Sequence, residues 1–160
     1  MDKTLEVVIG RLLKHHGVTL AVAESCTGGL IGHLITNVPG SSAYYQGSIT
    51  AYSSEVKERI LHVCHDTILH YGAVSEQTAL EMAQGVKRAF RADIGLSVTG
   101  IAGPDGGRPG KPVGLVFVAL SAPDGDWVER HVWRGDRMEN KESSAQAALD
   151  LLRRYLKERL

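Results

Sequence analysis

An excess of charge of either sign is what this sequence most plainly lacks. Lys and Arg number 18, as do Asp and Glu, so the formal net charge near neutrality is zero. No basic block breaks that balance, which disfavours bulk binding to nucleic acid or to a membrane surface. Cysteine is also scarce. Cys26 and Cys64 are too few for a disulfide framework and fit a reducing compartment. The opening Met1-Asp2-Lys3-Thr4-Leu5-Glu6 has no signal-peptide core, and no later apolar run is long enough to span a bilayer. At 160 residues and 17.3 kDa the natural expectation is a single soluble, cytoplasmic domain over residues 1–160.

What is present is an alternation of helical and strand patterns. Leu5, Val8, Ile9, Leu12 and Leu13 recur at helical spacing, and Gly17 is a stop signal. Val18 to Ala23 reads as a buried strand ending at Glu24, followed by a helix that begins near Cys26 or Thr27 and runs to Val38. Pro39-Gly40-Ser41-Ser42 ends it. Tyr44 to Tyr52 reads as a strand, and Ser53 or Ser54 caps a helix through Val56, Ile60 and Leu61. Val63 to Gly72 reads as irregular. Ser75 caps a helix with Ala79, Met82, Ala83, Val86 and Phe90 on one stripe. Ile94 to Thr99 is a short strand, and Gly100 to Pro112 is a loop with five glycines and three prolines. Val113 to Leu120 and Trp127 to Trp133 form an antiparallel pair across Pro123-Asp124-Gly125. Ala145, Ala148, Leu149, Leu152 and Leu156 mark the buried face of a last helix. This order predicts a three-layer α/β/α domain with a mixed, mainly parallel sheet.

Three stretches carry candidate chemistry. The first is Ala23-Glu24-Ser25-Cys26-Thr27-Gly28-Gly29, a strand-to-helix turn. A serine there stands beside unpaired helix N–H groups that suit an anion or oxyanion, and the adjacent glycines permit close approach of a ligand. Ser25 or Thr27 could equally be a helix cap, with the glycines aiding packing. The second is Tyr52-Ser53-Ser54-Glu55-Val56-Lys57. Serine is a weak nucleophile until a base takes its proton, and lysine serves only when neutral. Holding Lys57 neutral at pH 7 costs roughly 4–5 kcal/mol unless burial lowers its pKa. Tyr52 could relay the proton between Ser25 and Lys57, while the bland alternative is a solvated lysine beside a strand-end tyrosine.

The third stretch is Thr99-Gly100-Ile101-Ala102-Gly103-Pro104-Asp105-Gly106-Gly107. Its glycines could turn successive N–H groups toward a phosphate or carbonyl oxygen, and the loop exceeds what connection requires. It is not a P-loop, because Gly110-Lys111 is followed by Pro112, and the dinucleotide pattern G-x-G-x-x-G is absent. His62, Cys64, His65 and His70 match no tetrahedral metal spacing, so no metal and no cofactor are expected. Cys26 reads as a small packing residue rather than a nucleophile, and His33 as packed or half-exposed. G-x-S-x-G and H-E-x-x-H do not occur.

Taken in order, the Ser25 turn, Tyr52 with Lys57, Gly72-Ala73-Val74-Ser75 and the Thr99–Gly107 loop closely resemble the CinA C-terminal domain family. Arg134-Gly135-Asp136-Arg137 resembles its closing motif. The matches cover nearly the whole chain, in a form without the N-terminal nucleotide-hydrolase domain of longer members. The resemblance implies a nicotinamide-nucleotide amidase that converts nicotinamide mononucleotide to nicotinate mononucleotide and ammonia, in pyridine-nucleotide salvage. It places the family's serine, tyrosine and lysine on Ser25, Tyr52 and Lys57. One departure is Lys141, where the motif often carries a second arginine; a point charge there replaces a bidentate fork.

The expected reaction is metal-free acyl transfer to water. Ser25 attacks, Lys57 acts as base through Tyr52, and the substrate contacts are Thr27, Gly28, Gly29, Thr99, Gly100, Ala102 and Gly103. Arg137 or Lys141 would help hold the phosphate. The expected partners are a small-molecule nucleotide and a second copy of the chain in a homo-oligomer. The alternative is a non-catalytic pyridine-nucleotide-binding module. A phosphoryl-transfer enzyme would want paired carboxylates near the glycine loop, where only Asp105 is evident.

Overall fold

The computed structural model describes residues 3–159. The strands are β1 (Leu20–Glu24), β2 (Tyr45–Thr50), β3 (Ile94–Gly100), β4 (Leu115–Ala122) and β5 (Gly125–Val132), in the order β2-β1-β3-β4-β5. The helices are α1 (Leu5–His16), α2 (Leu30–Thr36), α3 (Ser54–Leu61), α4 (His65–Tyr71), α5 (Glu76–Phe90) and α6 (Arg137–Glu158). β1 pairs in parallel with both β2 and β3, whereas β3–β4 and β4–β5 are antiparallel. The α/β class and mixed sheet are as expected. Parallel and antiparallel pairings are equal in number, however, because the β4–β5 hairpin completes the sheet without a helical crossover.

Side-chain alternation explains the layers. Leu20 and Val22 of β1 join Leu96 and Val98 of β3 in a core with residues of α1, α2 and α6. Ala21 and Ala23, one residue out of phase, face the opposite way into a core with Leu61, Met82 and Val86 of α3 and α5. Both faces of β1 are therefore buried, which accounts for its unbroken apolar run. Leu13, Leu20, Leu96 and Leu149 have no exposed surface; each such burial contributes about 1.5–3 kcal/mol.

The elements follow the sequence closely, with two corrections. α2 begins at Leu30, not near Cys26 or Thr27, because residues 25–29 form a tight turn with Gly28 at φ +62° and Gly29 at φ +104°. Only glycine enters that left-handed region without steric cost, so these two residues serve the turn itself. The second correction is α4, in the stretch expected to be irregular. It buries none of its residues fully, so it has no apolar stripe to betray it. Gly85 of α5 lies against the end of α3: a Cβ there would come 2.0 Å from the Leu61 carbonyl oxygen.

Candidate active site

Strand register brings the separate stretches to one edge. Glu24 pairs with Thr50 on one side and Val98 on the other, so the segments after β1, β2 and β3 leave the sheet together. That edge is the carboxyl end of the parallel strands, the usual location of ligand sites in open α/β sheets. A cavity of about 270 Å³ lies there, lined by Ser25, Lys57, Tyr52, Val74, the Thr99–Gly103 segment and Arg137, among others.

Ser25 and Lys57 meet at its base. Ser25 is 6 % exposed and Lys57 only 1 %. The N-cap Ser53 fixes the start of α3 by accepting from Val56 N–H at 3.2 Å. From the first turns of that helix, the Lys57 side chain points back toward its N-terminus, the direction favoured for long side chains. Lys57 Nζ donates to Ser25 Oγ at 2.8 Å, to Ala51 O at 2.8 Å and to Tyr52 O at 3.2 Å.

All three partners are neutral oxygens. Burial pulls the Lys57 pKa down from its ordinary value to about 8, and the positive end of the α3 dipole acts in the same direction. A neutral amine has two N–H groups and one lone pair. With the N–H groups on the two carbonyls, the lone pair is left to accept the Ser25 hydroxyl proton.

Tyr52 is not interposed between them. The residue is 64 % exposed and its hydroxyl accepts from an Arg137 guanidinium nitrogen at 3.2 Å. The expected relay is replaced by direct contact, because the Lys57 chain is long enough to reach Ser25 unaided. Arg137, at the start of α6, also donates to Gly103 O at 2.7 Å. Its acceptors are a phenol and a carbonyl, both uncharged, so its positive charge is not neutralised by a direct carboxylate bond among the described residues.

The remaining expected contacts divide. Thr99, Gly100, Ala102 and Gly103 line the cavity, although the Thr99 hydroxyl is occupied by Ala73 O at 2.8 Å. Thr27, Gly28, Gly29 and Lys141 do not line it. Thr27 is buried and donates to Glu24 Oε1 at 2.6 Å. Lys141 Nζ lies 3.7 Å from where a Gly28 Cβ would sit, beside the turn rather than in the hollow. Cys26 also lines the cavity, but burial pushes its thiol up to about 12, so at neutral pH it is not an available thiolate.

Two structural residues escaped the sequence reading. Glu24 is fully buried and accepts from Thr27 Oγ1, from Ile31 N–H at 2.9 Å and from Gly32 N–H at 3.0 Å. It thereby anchors the turn bearing Ser25 to the first turn of α2. The second is Asn140, 1 % exposed, which bonds both to the glycine loop and to the segment before α6. The histidine-rich stretch is tied up locally, with His65 on Glu58 and His70 on Asp66 O.

These features define an α/β domain with a buried serine–lysine pair under a glycine-rich loop at the carboxyl end of the parallel strands. The chain belongs to the CinA C-terminal domain family, whose model matches residues 2–156. It is 50 % identical over 158 residues to a CinA-like protein of Thermotoga neapolitana, covering 99 % of this chain and 38 % of that one. A CinA-like protein of Desulfotalea psychrophila is 50 % identical over 153 residues, with 96 % and 37 % covered. The chain thus spans less than two fifths of the length of these relatives. Among solved structures, competence damage-inducible protein A from Klebsiella pneumoniae superposes with a TM-score of 0.94 at 31 % identity, covering 98 % of this chain and 97 % of that one. The competence/damage inducible protein CihA from Agrobacterium tumefaciens gives 0.87 at 37 % identity, with 99 % and 100 % covered.

Proposed function

We propose that this domain is an amidohydrolase that removes ammonia from the carboxamide of nicotinamide mononucleotide. The observation that carries this reading is the 2.8 Å contact between the buried Lys57 amine and the Ser25 hydroxyl. Ser25 Oγ attacks the carboxamide carbon as its proton passes to the neutral Lys57. The tetrahedral intermediate collapses when Lys57 returns that proton to the leaving nitrogen, releasing ammonia and leaving an ester on Ser25. A water molecule, deprotonated by the same amine, then hydrolyses the ester to the carboxylate and restores the hydroxyl.

Near pH 7 a group with a pKa of about 8 is neutral about one time in ten, a working fraction for a general base. Arg137, with no carboxylate bonded to it among the described residues, is the better candidate than Lys141 for the substrate phosphate. A bidentate guanidinium there suits phosphate geometry. Nicotinamide mononucleotide itself is taken from the family resemblance, as is the salvage role.

The test is ammonia release from nicotinamide mononucleotide, with wild type and Ser25→Ala side by side. Release by wild type that Ser25→Ala abolishes supports the assignment. An active Ser25→Ala protein removes the nucleophile. Binding without ammonia in wild type favours a non-catalytic nucleotide-binding module, in which a desolvated amine has no evident task.

A further inference from the structure

An amide hydrolase needs donors aimed at the oxygen that becomes negative. On the serine side of this cavity the N–H groups of Ser25, Gly28, Ile31 and Gly32 are committed, whereas those of Cys26, Thr27 and Gly29 have no acceptor among the described residues. Ser25 N–H donates to Val98 O, Gly28 N–H to Ser25 O, and the Ile31 and Gly32 N–H groups to Glu24. The glycine loop offers two more, and their orientation is fixed by hydrogen bonds to their own peptides. Ile101 O accepts from Gly114 N–H at 2.8 Å, and Ala102 O accepts from Asn140 Nδ2 at 2.9 Å. Both peptides are trans, since the cis bond among the described residues is Gly103–Pro104. In a planar trans peptide the N–H points opposite to its own carbonyl. The Ala102 N–H therefore points away from Gly114, and the Gly103 N–H away from Asn140. Neither has a hydrogen-bond partner among the described residues, and both residues line the cavity that holds Ser25 and Lys57.

Asn140 can act in one orientation only. Its Oδ1 accepts from Gly135 N–H at 3.0 Å while its Nδ2 serves Ala102 O. Reversing the amide would set donor against donor and acceptor against acceptor. Its own backbone carbonyl accepts from Ser144 Oγ at 2.6 Å, a further tie within α6. We propose that Asn140 is a positioning residue: it holds the Ala102–Gly103 peptide with its N–H toward the cavity. With Ala102 N–H this makes the donor pair for the oxyanion formed at the carboxamide carbon. The inference rests on the amidase reading for the charge it receives, and on geometry alone for the peptide orientation.

Asn140→Asp separates the two halves of the side chain. It keeps size and the acceptor for Gly135, but an ionised carboxylate cannot donate to Ala102 O; protonated, it can. Loss of one oxyanion donor lowers kcat by about 10²–10³-fold in a comparable hydrolase. The expected result is a kcat for ammonia release lowered on that order near pH 8, with KM within about threefold. The deficit relative to wild type should shrink as the pH is lowered and the new carboxyl protonates, a rescue that Asn140→Ala should not show. A folded Asn140→Asp protein with unchanged kcat, or with the whole loss in KM, overturns the proposal.

The orientation has its own readout, the backbone amide resonances of ligand-free protein. The Gly103 signal should move between wild type and Asn140→Asp and stay in place in Ser25→Ala. An unmoved Gly103 signal overturns the positioning role whatever becomes of the amidase. Absence of ammonia from wild type, with the Gly103 shift observed, defeats the amidase reading and leaves the orientation standing.

Discussion

Glu24 and Lys57 are buried ionisable side chains at the same edge of the sheet, and the fold accommodates them in opposite ways. Glu24 receives three donors, two of them N–H groups in the first turn of α2. Helix start and carboxylate complement one another there. Lys57 receives no counter-ion among the described residues: its nitrogen sees two carbonyls and a hydroxyl. Satisfied polarity without opposite charge is what moves an amine toward its neutral form. The first residue holds the turn in place, and the second touches the hydroxyl that the turn presents.

The contrast is open to direct attack. The largest effect should come from Lys57→Met, which removes the base while keeping an unbranched side chain. Ammonia release should fall by about 10²–10⁴-fold, measured as kcat on protein that retains its circular dichroism. Next is pH. Because the amine must be neutral to act, kcat/KM should drop about tenfold per pH unit below about 8 and level off above it. Stability carries the same signature. The folded-state pKa lies below the unfolded value of 10.5, so the unfolded chain binds more protons between these two pH values. Wild type should therefore gain stability relative to Lys57→Met as pH rises through that window, a trend read from paired denaturant melts.

Glu24→Gln should act differently. Its amide can still accept, but its NH2 group must face one of three donors, costing about 1–3 kcal/mol of stability. Its pH–rate profile should keep the wild-type inflection, since the base is untouched. The smallest effect belongs to Tyr52→Phe. With its hydroxyl outside the Ser25–Lys57 contact, the loss in kcat should stay below the about 10²-fold lower bound for removing a proton-transfer group. A loss comparable to that of Lys57→Met would restore the relay.

Much of this was legible beforehand because it depends on local pattern. The Ser25 turn, the Ser53 cap and the glycine loop follow from residue types over a few positions, and register alone then brings them to one edge. The orientation of Tyr52 is not legible, because spacing locates a backbone but not a side-chain direction, and its hydroxyl turns to Arg137, 85 residues away. The glycines after Thr27 were legible as glycines, but not the positive φ that the turn requires of them. Asn140 left no signal, because its partner Ala102 lies 38 residues earlier and a polar residue in a helix has no periodicity to read. Glu24 was legible only as the last residue of a strand.

Gly85 has a consequence of its own. It touches neither serine nor amine, yet it lets α5 rest against the carbonyl that ends α3, the helix that carries Lys57. A methyl group at that point would act like a shim under a beam: α3 would have to shift off its seat, and the amine it carries would shift with it.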